Sequence, residues 1–358
     1  MGYHFLLEHK MENIMTESLR FLNIKTKFPL CCGEDGRFRV LCVSDFHARS
    51  ANEHWDPRLK RSLEALIRAH HPNLVFIAGD LCHDEEGLGS DEKLRAYLAD
   101  VMELCETEKI AWAHVPGNHD SEQGISPHIF EEFPMCLSRR GPDELSGYGT
   151  YALPVWPHDG DTSRGPVCIV WAFDSHTGIG RYAERCGLRP DELDLPNIRF
   201  SYDGYDSVNF NQAAWYWETS SELEALCGRK IPGVMLMHAP IAEHFLIPTN
   251  PWQTEMTGEF AEAVGGAVLN SGLFAAAYER GDIREIVSGH DHINSISGLY
   301  MGIRLTEDAG LGFDVYGDNR IRGGRLMEFD ENNPTYYATR HVYIKDLLSP
   351  EEIAGPNA

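Results

Sequence analysis

The chain has 358 residues, of which 42% are hydrophobic and 24% are charged, and its 55 acidic and 31 basic residues give a formal charge of −24. This is the composition of a globular protein, and the length allows one large α/β domain or two smaller ones. Such a charge repels nucleic acids and acidic membranes, and we interpret it as a property that keeps the protein soluble.

The first half of the chain alternates predicted strands and helices. Apolar runs over residues 39–44, 74–78 and 110–115 predict three buried strands. A helix is predicted to begin at Asp56 and Pro57, an N-cap residue followed by a proline in the first turn, and a second helix is predicted over residues 90–106. This β-α-β-α-β order favours a parallel sheet with helices on its faces.

The second half repeats this pattern and then becomes rich in strands. Strands are predicted over residues 167–173, 233–237 and 283–287, with a helix from Asn209 to Cys227. Three further β-like runs cover residues 303–306, 325–329 and 336–344. Because no internal repeat or long linker divides the chain, we expect one domain over residues 38–345. An irregular lead-in over 1–37 precedes it, and a C-terminal tail over 346–358 follows it.

Polar side chains follow these strands at the point where each strand ends. They are Asp45, His47, Asp80, Asn118, His119, His238, His290 and His292. Ligands bind at the carboxyl ends of strands in open α/β sheets, so two sheets packed face to face would gather these residues in one cleft. Carboxylate and imidazole ligands without thiolate suit Mn, Fe or Zn. The set is too large for one ion and predicts two divalent ions, about 3.5–4 Å apart, that share a bridging carboxylate.

The same residues resemble a known family. The segments Asp45-x-His47, Gly79-Asp80, Gly117-Asn118-His119-Asp120, His238 and Gly289-His290-x-His292 are similar, in order, to the five signature blocks of the calcineurin-like metallophosphoesterases. Gly-Asp alone is common, but five ordered blocks over residues 45–292 are specific. The resemblance implies an α/β fold, a four-layer α/β/β/α sandwich of two packed mixed sheets flanked by helices.

The resemblance also implies a role for each residue of the five blocks. One ion would be held by Asp45, His47 and His292. The other ion would be held by Asn118, His238 and His290. Asp80 would bridge the two ions, and His119 would act as the general acid.

Departures from the family pattern distinguish its branches. His83 stands where purple acid phosphatases carry a tyrosine, and the block at Gly79 lacks the Asp-Arg-Gly continuation of the calcineurin-like phosphoprotein phosphatases. The Gly-Asp-Leu-x-His pattern resembles the DNA-repair nucleases, in which a second histidine supports the catalytic one, so His83 is a candidate partner of His119. Residues 112–120, 211–220 and 289–298 look most like the small, non-purple, single-domain relatives of purple acid phosphatases, and we rank that branch first.

Three functions follow from these residues. The first is a dinuclear-metal phosphoesterase that hydrolyses a small phosphomonoester or phosphodiester through a metal-bridging hydroxide, with His119 as general acid. The second is a metal-dependent nuclease, which His83 suggests and the charge of −24 opposes. The third is a non-catalytic scaffold with a vestigial metal site, which the complete ligand set opposes.

Several further residues are weaker candidates. His176 and His244 follow strand ends and could reach the cleft, whereas His114 is expected to pack inside its strand. Residues 215–217 are expected in the core. Tyr202, Tyr205 and Trp252 are candidates for substrate contact.

The chain has no predicted membrane segment. No apolar run approaches the roughly 18 residues of a membrane span, and no signal-peptide core follows the amino terminus. Its nine cysteines form no C-x-x-C pair, which indicates free thiols in a reducing compartment. We therefore expect a cytoplasmic protein that binds a small phosphorylated molecule and neither a membrane nor nucleic acid.

Overall fold

The computed structural model describes residues 26–49, 55–83, 90–122, 127–176, 206, 208–267 and 269–355. Its strands are β1 (Leu30–Cys31), β2 (Arg37–Val43), β3 (Leu74–Ala78), β4 (Ala111–Val115), β5 (Tyr151–Trp156), β6 (Cys168–Phe173), β7 (Gly233–Met237), β8 (Ile283–Ser288), β9 (Ser297–Tyr300), β10 (Ile303–Glu307), β11 (Gly323–Asp330) and β12 (Tyr337–Tyr343). Its α-helices are α1 (Pro57–His70), α2 (Asp91–Val101), α3 (Glu103–Glu108), α4 (Asn118–Glu122), α5 (Ile129–Glu132), α6 (Phe210–Cys227), α7 (Leu246–Thr249), α8 (Leu273–Arg280) and α9 (Pro350–Ala354). Short 3₁₀ turns cover Thr162–Arg164, Ala242–Phe245 and Ile344–Asp346.

The strands form two mixed sheets. One has seven strands in the order β1-β5-β6-β7-β8-β10-β9, and the other has five in the order β12-β11-β2-β3-β4. The runs β2-β3-β4 and β6-β7-β8-β10 are parallel, as the alternation of strands and helices predicts. Antiparallel strands flank both runs.

Three apolar clusters show how the layers pack. One cluster joins α1 and α2 to the five-stranded sheet, and another joins α6 and α8 to the seven-stranded sheet. The third lies between the sheets, with Val40 and Phe76 on one side and Leu153 and Leu236 on the other. The predicted four-layer α/β/β/α sandwich is therefore confirmed.

Local sequence signals set the helix that follows β2. Asp56 is the N-cap of α1, its Oδ1 accepts a hydrogen bond of 2.9 Å from the Arg58 amide, and Pro57 occupies the first turn. This start is the predicted one. The predicted helix over 90–106 is instead divided at Met102, whose backbone leaves the helical region between α2 and α3.

Both predicted chain ends contain packed structure. Within the lead-in, β1 pairs in parallel with β5, and residues 1–25 lie outside the described part of the chain. Within the tail, Ile353 of α9 is buried, and the Arg58 guanidinium donates to the carbonyls of Ile353 and Ala354 at 3.2 and 2.9 Å. Packed residues therefore occur on both sides of the boundaries at 37 and 346, and the division into lead-in, domain and tail stays a prediction.

The cysteines agree with the expected free thiols. No disulfide joins the eight described cysteines to one another, and six of them are buried; Cys186 lies outside the described residues. Within the described residues, no helix is both long and apolar enough to cross a membrane. The predicted cytoplasmic location stays a prediction.

Candidate metal centre

Five strands of the two sheets end at one cleft, which has a volume of about 460 Å³. The strands are β2, β3 and β4 of one sheet and β7 and β8 of the other. All seven residues predicted as metal ligands follow these strands and lie close together. They are Asp45, His47, Asp80, Asn118, His238, His290 and His292.

Three of these side chains form one ligand group. The Nε2 atoms of His47 and His292 are 3.1 Å apart, and they lie 3.6 and 3.3 Å from Oδ1 of Asp45. All three residues are at most 5% exposed. This is the predicted first ligand set, brought together from the ends of β2 and β8.

The second group lies on the other side of Asp80. Oδ2 of Asp80 is 3.1 Å from Nε2 of His238 and 3.6 Å from Nε2 of His47, so it faces both groups. Nε2 of His238 is also 3.2 Å from Nδ1 of His290 and 3.1 Å from Oδ1 of Asn118. The arrangement matches the predicted bridging position of Asp80.

The backbone makes sharp turns to aim these side chains. Asp45, His47, Asp80 and His290 have φ values of 58°, 50°, 52° and 76°, in the left-handed region that non-glycine residues seldom adopt. Each such residue costs about 1–3 kcal/mol, and such strain clusters at functional sites. Asn118 is placed differently, because it begins the short helix α4 and does not lie in a loop as predicted.

Two ligand histidines are held in one tautomer by backbone carbonyls. Nδ1 of His238 donates to the carbonyl of Ala78 at 2.8 Å, and Nδ1 of His292 donates to the carbonyl of Tyr316 at 3.1 Å. A ring that donates through Nδ1 leaves the Nε2 lone pair for a metal. Both Nε2 atoms point into the cluster.

The donor set fits cations and fits poorly without them. In the neutral tautomer the Nε2 lone pairs of His238 and His292 face carboxylate oxygens at 3.1 and 3.3 Å, so each pair needs either a cation or a second ring proton between its atoms. Oδ1 of Asp45 is buried and receives no well-aligned hydrogen bond from the described residues. Ions between these atoms would satisfy all of them, and the set of carboxylate, amide and imidazole ligands suits divalent metals of the Mn, Fe and Zn type.

Burial and the close approach of carboxylates and imidazoles shift the pKa values of Asp80, His238 and His290. Burial alone would raise the pKa of Asp80, but the His238 and His47 rings outweigh it and hold the pKa below the ordinary range. Burial lowers the pKa of His238, but Asp80 and Asp45 raise it to about 10. Burial and the neighbouring His238 lower the pKa of His290 to about 3. Without a metal, the neighbouring carboxylates therefore favour a second proton on the His238 ring.

The predicted acid and its predicted partner lie at the mouth of the cluster. His119 is half-buried, and its ring nitrogen approaches His47 and Asp80 within a group of atoms at most 4.8 Å apart. The rings of His83 and His119 stack with centroids 5.6 Å apart. Nδ1 of His83 is 3.1 Å from Nδ1 of His47, and Nε2 of His83 is 2.9 Å from Nη2 of Arg49. His83 thus joins His119, His47 and Arg49 in one chain of contacts.

Sequence reasoning missed three residues of the cleft. Arg49 lines it next to His83, although no arginine follows the Gly79-Asp80 block. The Tyr316 ring stacks on His292 at 4.2 Å, and its hydroxyl donates to Glu262 at 2.9 Å. Arg49 stands two residues after His47, which is the only local signal. Tyr316 and Glu262 are distant in sequence and become visible only in the fold.

Several weaker candidates lie outside the cleft. His114 is packed, as predicted, against Phe130 and Asp120. His176 is buried against Asp174 and Asn209, and His244 is fully buried beside the carbonyl of Ile241. Neither His176 nor His244 lines the cleft.

The aromatic candidates have mixed outcomes. Tyr216 is buried, but Trp217 is 44% exposed, so residues 215–217 are only partly in the core as predicted. Trp252 is 95% exposed and does not line the cleft. Tyr202 and Tyr205 lie outside the described residues.

Comparison with known proteins agrees with this geometry. The model of the calcineurin-like phosphoesterase family matches residues 38–294. The chain is 27% identical over 317 residues to "Probable inactive purple acid phosphatase 14" of Arabidopsis thaliana, with coverage of 79% of this chain and 72% of that protein. It is 25% identical over 313 residues to "Probable inactive purple acid phosphatase 29" of the same plant, with coverage of 79% and 74%.

A solved structure shares the fold. The crystal structure of a dimetal phosphatase from Danio rerio superposes with a TM-score of 0.52 and 12% identity, and it covers 87% of this chain and 99% of that one. The family model alone spans well over half of the 358 residues. The chain therefore belongs to the calcineurin-like phosphoesterase family.

Proposed function

We propose that this protein is a metal-dependent phosphoesterase that hydrolyses a small phosphomonoester or phosphodiester, with His119 as the general acid. The observation that carries the proposal is the pair of donor groups on either side of Asp80, whose Oδ2 faces His47 at 3.6 Å and His238 at 3.1 Å. When bound, two divalent ions supply an acidified water and neutralise phosphoryl charge. We propose Mn, Fe or Zn for them.

The surroundings of His119 support its proposed role as the proton donor to the departing oxygen. Its amide donates to Oδ1 of Asp80 at 3.0 Å, which fixes the start of α4 against the bridging carboxylate. The His119 ring lies next to His47 and Asp80, lines the cleft and is only half-buried, so a substrate that enters the cleft would contact it. An imidazole there can protonate a leaving alkoxide, a contribution of typically 10²–10⁴ in rate.

His83 and Arg49 support a second role for the cleft, that of gripping phosphate. If Nε2 of His47 is given to a metal, its proton sits on Nδ1 and is donated to Nδ1 of His83, 3.1 Å away. The remaining proton of His83 then lies on Nε2 and faces the Arg49 guanidinium at 2.9 Å, donor against donor. Arg49 would turn away from His83 and present its guanidinium to a phosphoryl oxygen.

The lining of the cleft favours a small substrate over a nucleic acid. Its volume is about 460 Å³, and among the lining residues that the structure describes, Arg49 is the only arginine or lysine. Glu262 and Asp291 also line the cleft and add negative charge. A groove for nucleic acid needs basic residues along the path of the backbone, so the nuclease alternative is the weaker proposal.

The test is hydrolysis by the metal-loaded protein. The Mn-, Fe- and Zn-loaded forms are each assayed on p-nitrophenyl phosphate and on bis(p-nitrophenyl) phosphate, and the two rates separate monoesterase from diesterase activity. Asp80→Asn should abolish activity together with metal binding. Metal-loaded wild-type protein without any turnover would contradict the proposal and favour a non-catalytic role, and rapid digestion of single-stranded DNA or RNA would favour the nuclease.

A further inference from the structure

A second cavity, of about 710 Å³, lies apart from the metal centre. It opens between the two sheets, where β9 and β10 of the seven-stranded sheet face β12 of the five-stranded sheet. Its described lining residues include none that lines the metal cleft. They also include several arginines and hydroxyl-bearing residues and no aspartate or glutamate, although the chain carries a charge of −24.

Three arginines come to this cavity from three different strands. Arg304 lies on β10, and its Nη1 donates to Oγ of Ser297 at 3.3 Å. Arg325 lies on β11 and is only 4% exposed. A fourth lining arginine, Arg340, is exposed and belongs to the outer face of β12. It pairs in register with Leu326 of β11, and the Leu326 side chain packs against the helices, so the Arg340 side chain lies on that same face.

Arg284 reaches the cavity because of a bulge in β8. Gly233 pairs with Ile283 and Val234 pairs with Glu285, so Arg284 is an extra residue between two paired positions. In a regular strand, the side chains of Arg284 and Glu285 would lie on opposite faces of the sheet. A bulge changes the direction of the side chain of the extra residue. Arg284 and Glu285 therefore both turn toward the space between the sheets.

None of the three guanidinium groups forms an ion pair with a carboxylate of the described residues. No carboxylate of these residues lies within 4.0 Å of Arg284, Arg304 or Arg325. Glu285 is the nearest acidic residue of the strand, but its two oxygens accept from the hydroxyls of Thr306 and Tyr337.

Three buried polar atoms of the residues that line this cavity have no hydrogen-bond partner in the described part of the chain. The Nε atoms of Arg284 and Arg325 and Oγ1 of Thr339 are buried and have no hydrogen-bond partner among the described residues. A buried donor without a hydrogen-bond partner is costly, and three like charges around one cavity add mutual repulsion. An anion in the cavity would remove both costs.

We propose that this cavity binds a small polyanion, a molecule that carries two or more phosphate groups. The planar guanidinium fork of arginine matches the oxygens of a phosphate, and three forks from three strands fix more than one such group. The cavity is much larger than one phosphate needs. The site goes beyond the proposed hydrolysis and does not depend on it.

The test uses inositol hexakissulfate, a polyanion of sulfate esters, which a phosphoesterase is not built to hydrolyse. Isothermal titration of the full, metal-loaded chain at low salt should show one site. Arg304→Met and Arg284→Met should each weaken binding roughly tenfold, as expected for the loss of a charged hydrogen bond. The matched control is Arg320→Met, an exposed arginine that pairs with Asp318 at 2.6 Å outside the cavity, and it should bind as the wild type does.

A second control separates the cavity from the metal cleft. His290→Ala disrupts the metal centre and should leave the affinity for the hexasulfate unchanged. Melting temperatures of the two arginine variants near that of the wild type show that the fold is intact. The proposal is overturned if the wild type does not bind, if both arginine variants bind normally, or if binding is lost in His290→Ala and kept in Arg304→Met.

Discussion

The backbone of Gly117 runs so close to Asp80 that a Cβ atom at position 117 would lie 2.1 Å from Oδ1 of that carboxylate. The same Cβ atom would lie 2.4 Å from the Asp80 amide nitrogen. Any side chain at position 117 would therefore collide with Asp80. Because Asp80 faces both ligand groups, such a collision would disturb both of them. The glycine of the Gly-Asn-His-Asp block is thus a requirement of packing against the bridging residue.

Gly117→Ala should therefore disrupt the metal centre. The added methyl group must displace Asp80 or the start of α4, and we expect metal content to fall from about two ions per chain to one or fewer. Metal analysis of protein dialysed against Mn measures this. Gly228→Ala is the control, because Gly228 ends α6 at φ 66° with no atom within 4 Å of its Cβ position. It should cost about 1 kcal/mol of stability and keep both ions. Equal metal content in both variants would contradict the argument.

His119→Ala should slow hydrolysis in a way that depends on the leaving group. An alkyl phosphate needs a proton on its departing oxygen, so its turnover should fall by about 10²–10⁴. p-Nitrophenolate leaves readily without a proton, so the loss on p-nitrophenyl phosphate should be much smaller. Steady-state rates on the two substrates give the comparison.

The control for this substitution is metal content, which should stay at the wild-type level because neither of the two proposed ligand groups includes His119. If both substrates lose the same factor while both ions are retained, His119 does not donate the proton. If the ions are lost, His119 is a ligand.

Arg49 provides a third prediction. Arg49→Met should remove a charged hydrogen bond to the phosphoryl group, which corresponds to about 1.5–3 kcal/mol, or roughly tenfold to a hundredfold in kcat/KM. Inhibition by inorganic phosphate should weaken in parallel. Arg49→Lys should recover only part of the loss, because lysine keeps the charge without the fork. Unchanged phosphate inhibition in Arg49→Met would show that Arg49 only supports His83.

The sequence allowed these seven residues to be proposed as metal ligands because each lies within a few positions of the end of an apolar run. The strands over 39–44, 74–78, 233–237 and 283–287 are fixed by local hydrophobicity, and polar residues at their ends stand out against them. The positions of Asp80 and His238 at strand ends follow from this pattern, whereas the resemblance to the metallophosphoesterases implies which ion each of them would bind. The two sheets follow from the same alternation of strands and helices.

The remaining parts of the site depend on contacts that no local pattern encodes. The tautomer of His292 is set by the carbonyl of Tyr316, which comes from a loop 24 residues later. The bulge that turns Arg284 inward is a matter of register between β7 and β8. The pairing of β1 with β5 joins residues more than a hundred positions apart, so the lead-in looked irregular.

Acid sensitivity provides the fourth prediction, and it rests on His244. This histidine is fully buried, and burial lowers its pKa from 6.5 to about 4 in the folded protein. As the pH falls below 6.5, the unfolded chain binds a proton at this position and the folded chain does not. The stability that the neutral ring contributes is complete above pH 6.5 and is lost between pH 6.5 and 4, a change of about 3 kcal/mol.

His244→Leu should remove this contribution to the pH dependence. Urea unfolding at a series of pH values from 7 to 4 gives the free energy of unfolding of each variant, and the wild type should lose more stability over this range than His244→Leu does. Other titrating groups contribute equally to both, so the difference between the two curves isolates His244. His128→Leu, a change at an exposed histidine, should run parallel to the wild type. Parallel curves for His244→Leu and the wild type would mean that the buried ring accepts a proton in the folded state as easily as in the unfolded one.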